Sequence, residues 1–241
     1  ANTKCRVLLD NGVLTNAYPV LKTSKGAGAV VKVNYAEGMF DKSGIKGNRD
    51  EIEGRDFNAS EEVFDIFRPD GGASREFSPL WFRTYRYVGL DIETKGEPLV
   101  IEDMYGIFTG YPFEENGKFD SDDASLAKIW EVGWRTARLC ALETYVDCPY
   151  YEQLQYAGDT RIQALISLYV SGDDRLMRQA ITAFDNSRTH LNITQSRFPS
   201  SLTQFIPPFS LYWIEMICDY AMFRGDFDFL SDKLIGVRSV L

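Results

Sequence analysis

The 241 residues carry 26 basic against 35 acidic side chains, a net charge of -9. That acid excess argues against nucleic acid or an anionic membrane surface as partner, and no run of about 18 apolar residues offers a membrane span. With 44% apolar and 25% charged residues the composition is that of a globular protein, long enough for one large domain or two.

The first 110 or so residues read as strands. Val31, Val33 and Tyr35 alternate with Lys32 and Asn34, and the stretch from Trp81 to Val88 is rich in aromatic residues, as strands are. Leu99-Val100-Ile101 continues the pattern, while Gly and Pro clusters such as Pro69-Asp70-Gly71-Gly72 punctuate it. No long helical period appears, so an antiparallel β-sandwich, jelly-roll-like, is expected over residues 1–117.

The period changes near Phe119-Asp120-Ser121-Asp122. Leu126, Ile129, Trp130, Gly133, Ala137 and Cys140 follow helical spacing behind Ser121 or Asp122 as cap. Further helices are predicted over 160–171, 174–188, 208–224 and from 227 to the end. Gly172-Asp173 and Gly225-Asp226 each end one helix and cap the next, with Met177 or Leu230 five residues after the glycine. The recurrence suggests stacked helical hairpins, a toroid or solenoid, although Gly-Asp at helix junctions is also common by chance. The chain stops at Leu241 inside the apolar pattern of Leu230, Leu234 and Val237, so the natural protein is expected to continue and the 241 residues alone to be inactive.

Cys5, Cys140, Cys148 and Cys218 are too sparse for a zinc ribbon or a disulfide scaffold, and His190 is the only histidine, which leaves a Cys/His nucleophile poorly supported. Chemistry concentrates instead between Asp147 and Asp159. There Asp147-Cys148-Pro149-Tyr150-Tyr151-Glu152-Gln153-Leu154-Gln155-Tyr156-Ala157-Gly158-Asp159 sets three carboxylates among tyrosines on an interrupted backbone. Pro149 cannot continue a helix, and Gly158-Asp159 reads as the start of the next one. Such a connection brings Asp147, Glu152 and Asp159 near one another at helix ends. A carboxylic acid can protonate a glycosidic oxygen, carboxylates hold sugar hydroxyls, and flat rings cover a sugar's apolar face. Plainer roles fit the same residues: Asp159 as an N-cap, Asp147 as a turn former, Glu152 in a surface ion pair with Arg161.

The motif Asp147-Cys148-Pro149-x-x-Glu152, followed after six residues by Asp159, resembles that of the bacterial alpha-L-rhamnosidases, family 78 glycoside hydrolases. The segment from Phe82 to Val88 is similar to the strand that this family carries just before its helices. The resemblance implies that residues 118–241 are the first helices of an (α/α)6 barrel. It implies an inverting glycosidase that releases terminal alpha-L-rhamnose, or a related sugar, from glycans without metal or organic cofactor. By position Glu152 matches the general acid, and Asp147 and Asp159 match carboxylates that bind the sugar hydroxyls. Tyr156 stands where many members have a Trp against the sugar, and Tyr151 where many have an Arg. The catalytic base is expected beyond Leu241, and the compartment to be periplasmic or extracellular. Phe198, Phe205 and Trp213, in or near the long link over 195–208, are candidates for the sugar cleft or for the core. Two other classes stay open, a carbohydrate-binding protein without catalysis and a helical-toroid polysaccharide lyase; the single His190 speaks against the second.

Overall fold

In a computed structural model, which describes residues 1–58, 60 and 63–241, strands fill the first unit of the chain, Ala1–Thr109, and helices the second, Gly110–Leu241. The strands are β1 (Lys4–Lys25), β2 (Val30–Ala36), β3 (Val63–Phe67), β4 (Gly71–Phe77), β5 (Arg83–Glu93) and β6 (Leu99–Phe108). All pairings are antiparallel, in the order β3-β2-β5-β1-β4, with β6 also on β1. The expected jelly-roll-like sandwich therefore takes the form of one continuous sheet that curls.

Strand β1 makes the curl. Its first part pairs with β5, from Lys4 opposite Glu93 to Ala17 opposite Arg83, with a register shift between Asp10 and Thr15. Its second part runs beside β6, from Ala17 opposite Phe108 to Lys25 opposite Leu99, and beside β4 from Leu21 onward. One strand thus changes partners along its length, and an irregular register supplies the bend and added twist that this needs. The alternation in β2 is realised on one side: Val31, Val33 and Tyr35 are buried with Leu21, Tyr85, Val88 and Leu90. Asn34 departs from it, being 3% exposed, because its Nδ2 donates to Asp91 Oδ2 at 2.8 Å. The central strand β5 is covered there as well, where Ala36, Met39, Phe57 and Tyr87 cluster.

The second unit holds α1 (Ala124–Leu139), α2 (Ala157–Val170), α3 (Arg175–Asn186), α4 (Pro207–Arg224), α5 (Phe227–Ser231) and α6 (Leu234–Val240). These six helices stand where the first helices of an (α/α)6 barrel are expected. The cap of α1 is Asp123, whose side chain accepts from Ser125 N–H, rather than Ser121 or Asp122. Helix α2 starts at Ala157, three residues before the predicted start. The predicted last helix is two, α5 and α6, separated by a turn at 232–233.

The two Gly-Asp junctions behave differently. Gly172 and Gly225 both take the left-handed conformation, at φ +75° and +64°, which a residue with a Cβ adopts only with strain. Asp226 caps α5 by accepting from Phe229 N–H at 3.1 Å. At the other junction the cap position falls to Asp174, which instead accepts from Tyr220 Oη and Arg224 Nε. Asp173, one residue earlier, accepts from Arg175 N–H at 3.0 Å.

The helical core contains Ala164, Leu168, Met177, Ile181, Phe184, Trp213, Met216, Tyr220 and Leu230, with α2 packed chiefly on α4. Trp213 is fully buried, and its Nε1 donates to Ile181 O at 3.0 Å. Helix α1 buries only Trp134 and Leu139 and leaves Ile129 and Val132 in the open. Trp213→Ala is expected to remove about 3–5 kcal/mol from the urea-induced unfolding of the helical unit. Met222→Ala, at an exposed position of the same helix, should change it by less than about 0.5 kcal/mol.

Candidate active site

The loop before α2 closes on Asp147. Its N–H donates to Leu154 O at 2.9 Å, and its Oδ1 accepts from Leu154 N–H at 3.1 Å. Inside this closure Gln153 N–H reaches Cys148 O at 3.2 Å and Gln153 Nε2 reaches Pro149 O at 2.8 Å. Pro149 is tolerated because the loop asks no N–H of it. Asp147 is therefore a loop former, as the plainer reading had it, and one of its oxygens is spent on the backbone.

Cys148 belongs to the scaffold. Its Sγ accepts from Glu152 N–H at 3.2 Å, and burial, the largest influence, pushes its thiol above the ordinary value. Burial likewise holds the Cys140 thiol up at about 11. Neither is a thiolate at neutral pH, so neither offers a nucleophile.

The loop delivers Glu152 to the surface and Tyr156 to the start of α2. Tyr156 Oη donates to Glu152 Oε2 at 2.6 Å, and Arg197 Nη1 donates to Tyr156 Oη at 3.2 Å. Glu152 does not meet Arg161, which is taken by Glu215 and by Asp219, the latter at 2.8 Å. Tyr151 and Glu152 are both exposed, so these rings do not close over the carboxyl by themselves.

Asp159 is the third residue of α2 and not its cap; that position is held by Tyr156, which makes no side-chain capping bond. Burial raises the Asp159 carboxyl above its usual range, and the charges of Asp147 and Glu152 raise it further. The three carboxylates of the motif therefore share one electrostatic neighbourhood at the positive end of α2. An aromatic edge borders it: Tyr156 and Phe209 meet at 89° with centroids 6.4 Å apart, and Phe209 meets Tyr212 at 5.9 Å. Gly158 permits this approach, since a Cβ there would lie 3.0 Å from the Phe209 ring. Among the described residues no group of three or more His, Cys, Asp or Glu is placed to hold a metal ion.

Among the aromatic candidates, Trp213 is core. Phe198 is half-buried and packs against that core. The residue that sequence reasoning missed is Arg197. It lies in the link singled out for its length and aromatic residues, and only pairing across the fold brings it to Tyr156.

Residues 114–233 match the sequence model of the bacterial alpha-L-rhamnosidase 6 hairpin glycosidase domain. This part of the chain belongs to the bacterial alpha-L-rhamnosidases. No curated protein sequence matches the chain. Among solved structures it is similar to the GH78 family rhamnosidase of Bacillus sp. GL1, with TM-score 0.84 and 24% identity over 98% of this chain and 24% of that one. It is also similar to a rhamnosidase from Klebsiella oxytoca with rhamnose bound, with TM-score 0.79 and 16% identity over 99% of this chain and 48% of that one. A Streptomyces avermitilis alpha-L-rhamnosidase complexed with L-rhamnose aligns with TM-score 0.74 and 18% identity, over 98% of this chain and 22% of that one. The chain thus spans 24% and 48% of the length of the first two. No helix is long and apolar enough to cross a membrane, among the described residues.

The raised carboxyl of Asp159 has a consequence for the stability of this rhamnosidase-domain segment. A group whose folded pKa lies above its unfolded value supports folding below the unfolded value, and that support is lost as pH rises through the folded one. Asp159→Asn is therefore expected to be more stable than the parent at neutral pH and equal to it below about pH 3.5. Thermal melts of both proteins from pH 3 to 7 check this; a parent that is more stable at pH 7 would contradict it.

Proposed function

We propose that the protein is a glycoside hydrolase that releases terminal alpha-L-rhamnose, or a related sugar, from a glycan with inversion of configuration. One observation carries this reading: the loop closed by Asp147 gathers Asp147, Glu152 and Asp159 beside an aromatic edge, in a segment that belongs to the rhamnosidase family. Glu152 is the general acid. It is exposed toward incoming substrate, and a neutral donor, Tyr156, already contacts one of its oxygens.

Asp147 and Asp159 bind the sugar hydroxyls. Asp147 has one oxygen beyond the bond that closes its loop, and Asp159 makes no ion pair among the described residues. The aromatic edge of Tyr156, Phe209 and Tyr212 faces the sugar's apolar side. Inversion needs a second carboxylate about 6.5–9.5 Å from the acid, to activate a water on the opposite face. Glu215 is held by Arg161, and Glu143 sits exposed in the turn after α1. We assign the base to neither, but to a part of the catalytic domain outside these 241 residues.

In the full-length enzyme, Glu152→Gln is expected to cut turnover on an alkyl rhamnoside by about 10²-fold or more, and on an activated aryl rhamnoside by much less, since that leaving group needs little protonation. Equal small losses on both substrates would remove Glu152 from this role. Asp147→Ala and Asp159→Ala should each weaken kcat/KM by about 1.5–3 kcal/mol, the scale of a charge-assisted hydrogen bond. A sugar-bound structure with the hydroxyls more than one water away from both carboxylates would sink the assignment.

A further inference from the structure

Arg197 reaches the site from the link between α3 and α4. Its main chain is tied down independently of its side chain. Tyr156 and Arg197 form a β-bridge, Ala157 N–H donates to Ser196 O at 2.9 Å, and Phe198 N–H donates to Gln155 O at 3.0 Å. Gln155 Nε2 adds a bond to Phe198 O at 2.8 Å. The guanidinium is not needed for any of these contacts. It makes no salt bridge among the described residues, and its buried Nε–H has no partner. Among the described residues its one hydrogen bond goes from Nη1 to Tyr156 Oη, and its charge lies 5.8 Å from the centre of that ring.

A phenol has one proton to donate, and its oxygen can also accept. Arg197 has only donors, so it occupies the accepting side of Tyr156 Oη. The phenol proton must then point the other way, to Glu152 Oε2. We propose that Arg197 is a positioning residue: through Tyr156 it sets the direction of a hydrogen-bond chain that makes Glu152 Oε2 an acceptor and reserves Oε1 for the proton that is transferred. The hydrogen bond to the Glu152 carboxylate, first, and burial, second, hold the Tyr156 phenol above its ordinary value, with Arg197 opposing. Tyr156 accordingly stays a neutral donor at working pH.

The proton balance follows. Oε1–H passes to the glycosidic oxygen as the bond from the anomeric carbon to that oxygen breaks, with the bonding pair going to the leaving oxygen. Glu152 is left as a carboxylate whose Oε2 still holds the Tyr156 proton. Water attacks the anomeric carbon from the other face and gives its proton to the base. Without Arg197 the phenol can turn over and accept from a protonated Oε2, which leaves the acid's proton on the wrong oxygen. This rests on the reading of Glu152 as general acid.

A double-mutant cycle in the full-length enzyme tests it, with an alkyl rhamnoside and an activated aryl rhamnoside as the two substrates. Arg197→Met and Tyr156→Phe are each expected to lower kcat on the alkyl substrate by about 10- to 100-fold, the scale of a misplaced catalytic group, and on the aryl substrate by less than about 3-fold. Arg197→Lys should recover part of the loss, because an ammonium can donate the same bond. Adding Arg197→Met or Arg197→Lys to Tyr156→Phe should cost nothing more, since the arginine would have lost the group through which it acts. Equal losses on both substrates, or a full additive loss in the double variant, would overturn the proposal and mark Arg197 as structural or substrate-binding. If Arg197→Met does not fold, the lysine variant in the two backgrounds decides the same question. A parent enzyme that cleaves neither rhamnoside, or is indifferent to Glu152→Gln, would instead sink the reading of the site itself.

Discussion

The site depends on one closure, the pair of hydrogen bonds between Asp147 and Leu154. A chain that leaves a strand-like bridge at Tyr145 and enters α2 at Ala157 must satisfy its polar backbone groups without a helix or a sheet. Asp147 does so with its main-chain N–H and one carboxylate oxygen, and Cys148 supports the interior of the turn with its carbonyl and its sulfur. The motif's first carboxylate is therefore both architecture and chemistry. Opening this turn would release Glu152, while Tyr156 stays tied to Arg197 by its β-bridge.

Gathering carboxylates is unfavourable, and the structure shows where that strain is held. Arg161 lies two residues after Asp159, yet it turns away to Glu215 and Asp219, so the motif's charges are not neutralised by the nearest cation. Burial chiefly, and after it the charges of Asp147 and Glu152, raise the Asp159 carboxyl. The N-terminus of α2 offsets part of the repulsion, as helix starts favour negative charge. Another cation, Arg197, is kept one tyrosine away from Glu152. A direct Arg–Glu pair would hold the acid as a carboxylate, whereas a phenol between them transmits orientation with less charge.

The hydroxyl of Tyr156 is what joins Arg197 to Glu152. A tryptophan indole can donate but cannot accept, so it could not relay a bond from Arg197 to Glu152. Tyrosine keeps a flat face and adds a hydroxyl that does both.

The sequence by itself determined the elements whose cause is local. Gly172 and Gly225 stop their helices because only glycine takes a left-handed backbone freely, and the shift from alternating to helical period marks where strands give way to helices. The Asp147–Asp159 motif was legible because Pro149 and the helix start at its far end confine three carboxylates to one short turn. What only the tertiary structure decided is pairing between distant residues. The change of partners along β1, from β5 to β4 and β6, leaves no local mark, since strand neighbours are chosen by side chains far apart in sequence. The cap of α2 fell to Tyr156 rather than Asp159 because the bridge to Arg197 and the bond from Ala157 to Ser196 fix where that helix begins. Trp213, readable as a cleft aromatic, became core because Ile181, on another helix, supplies an acceptor for its indole N–H. Arg197 carried no signal of its own for the same reason: its role exists only once α2 and the α3–α4 link lie side by side.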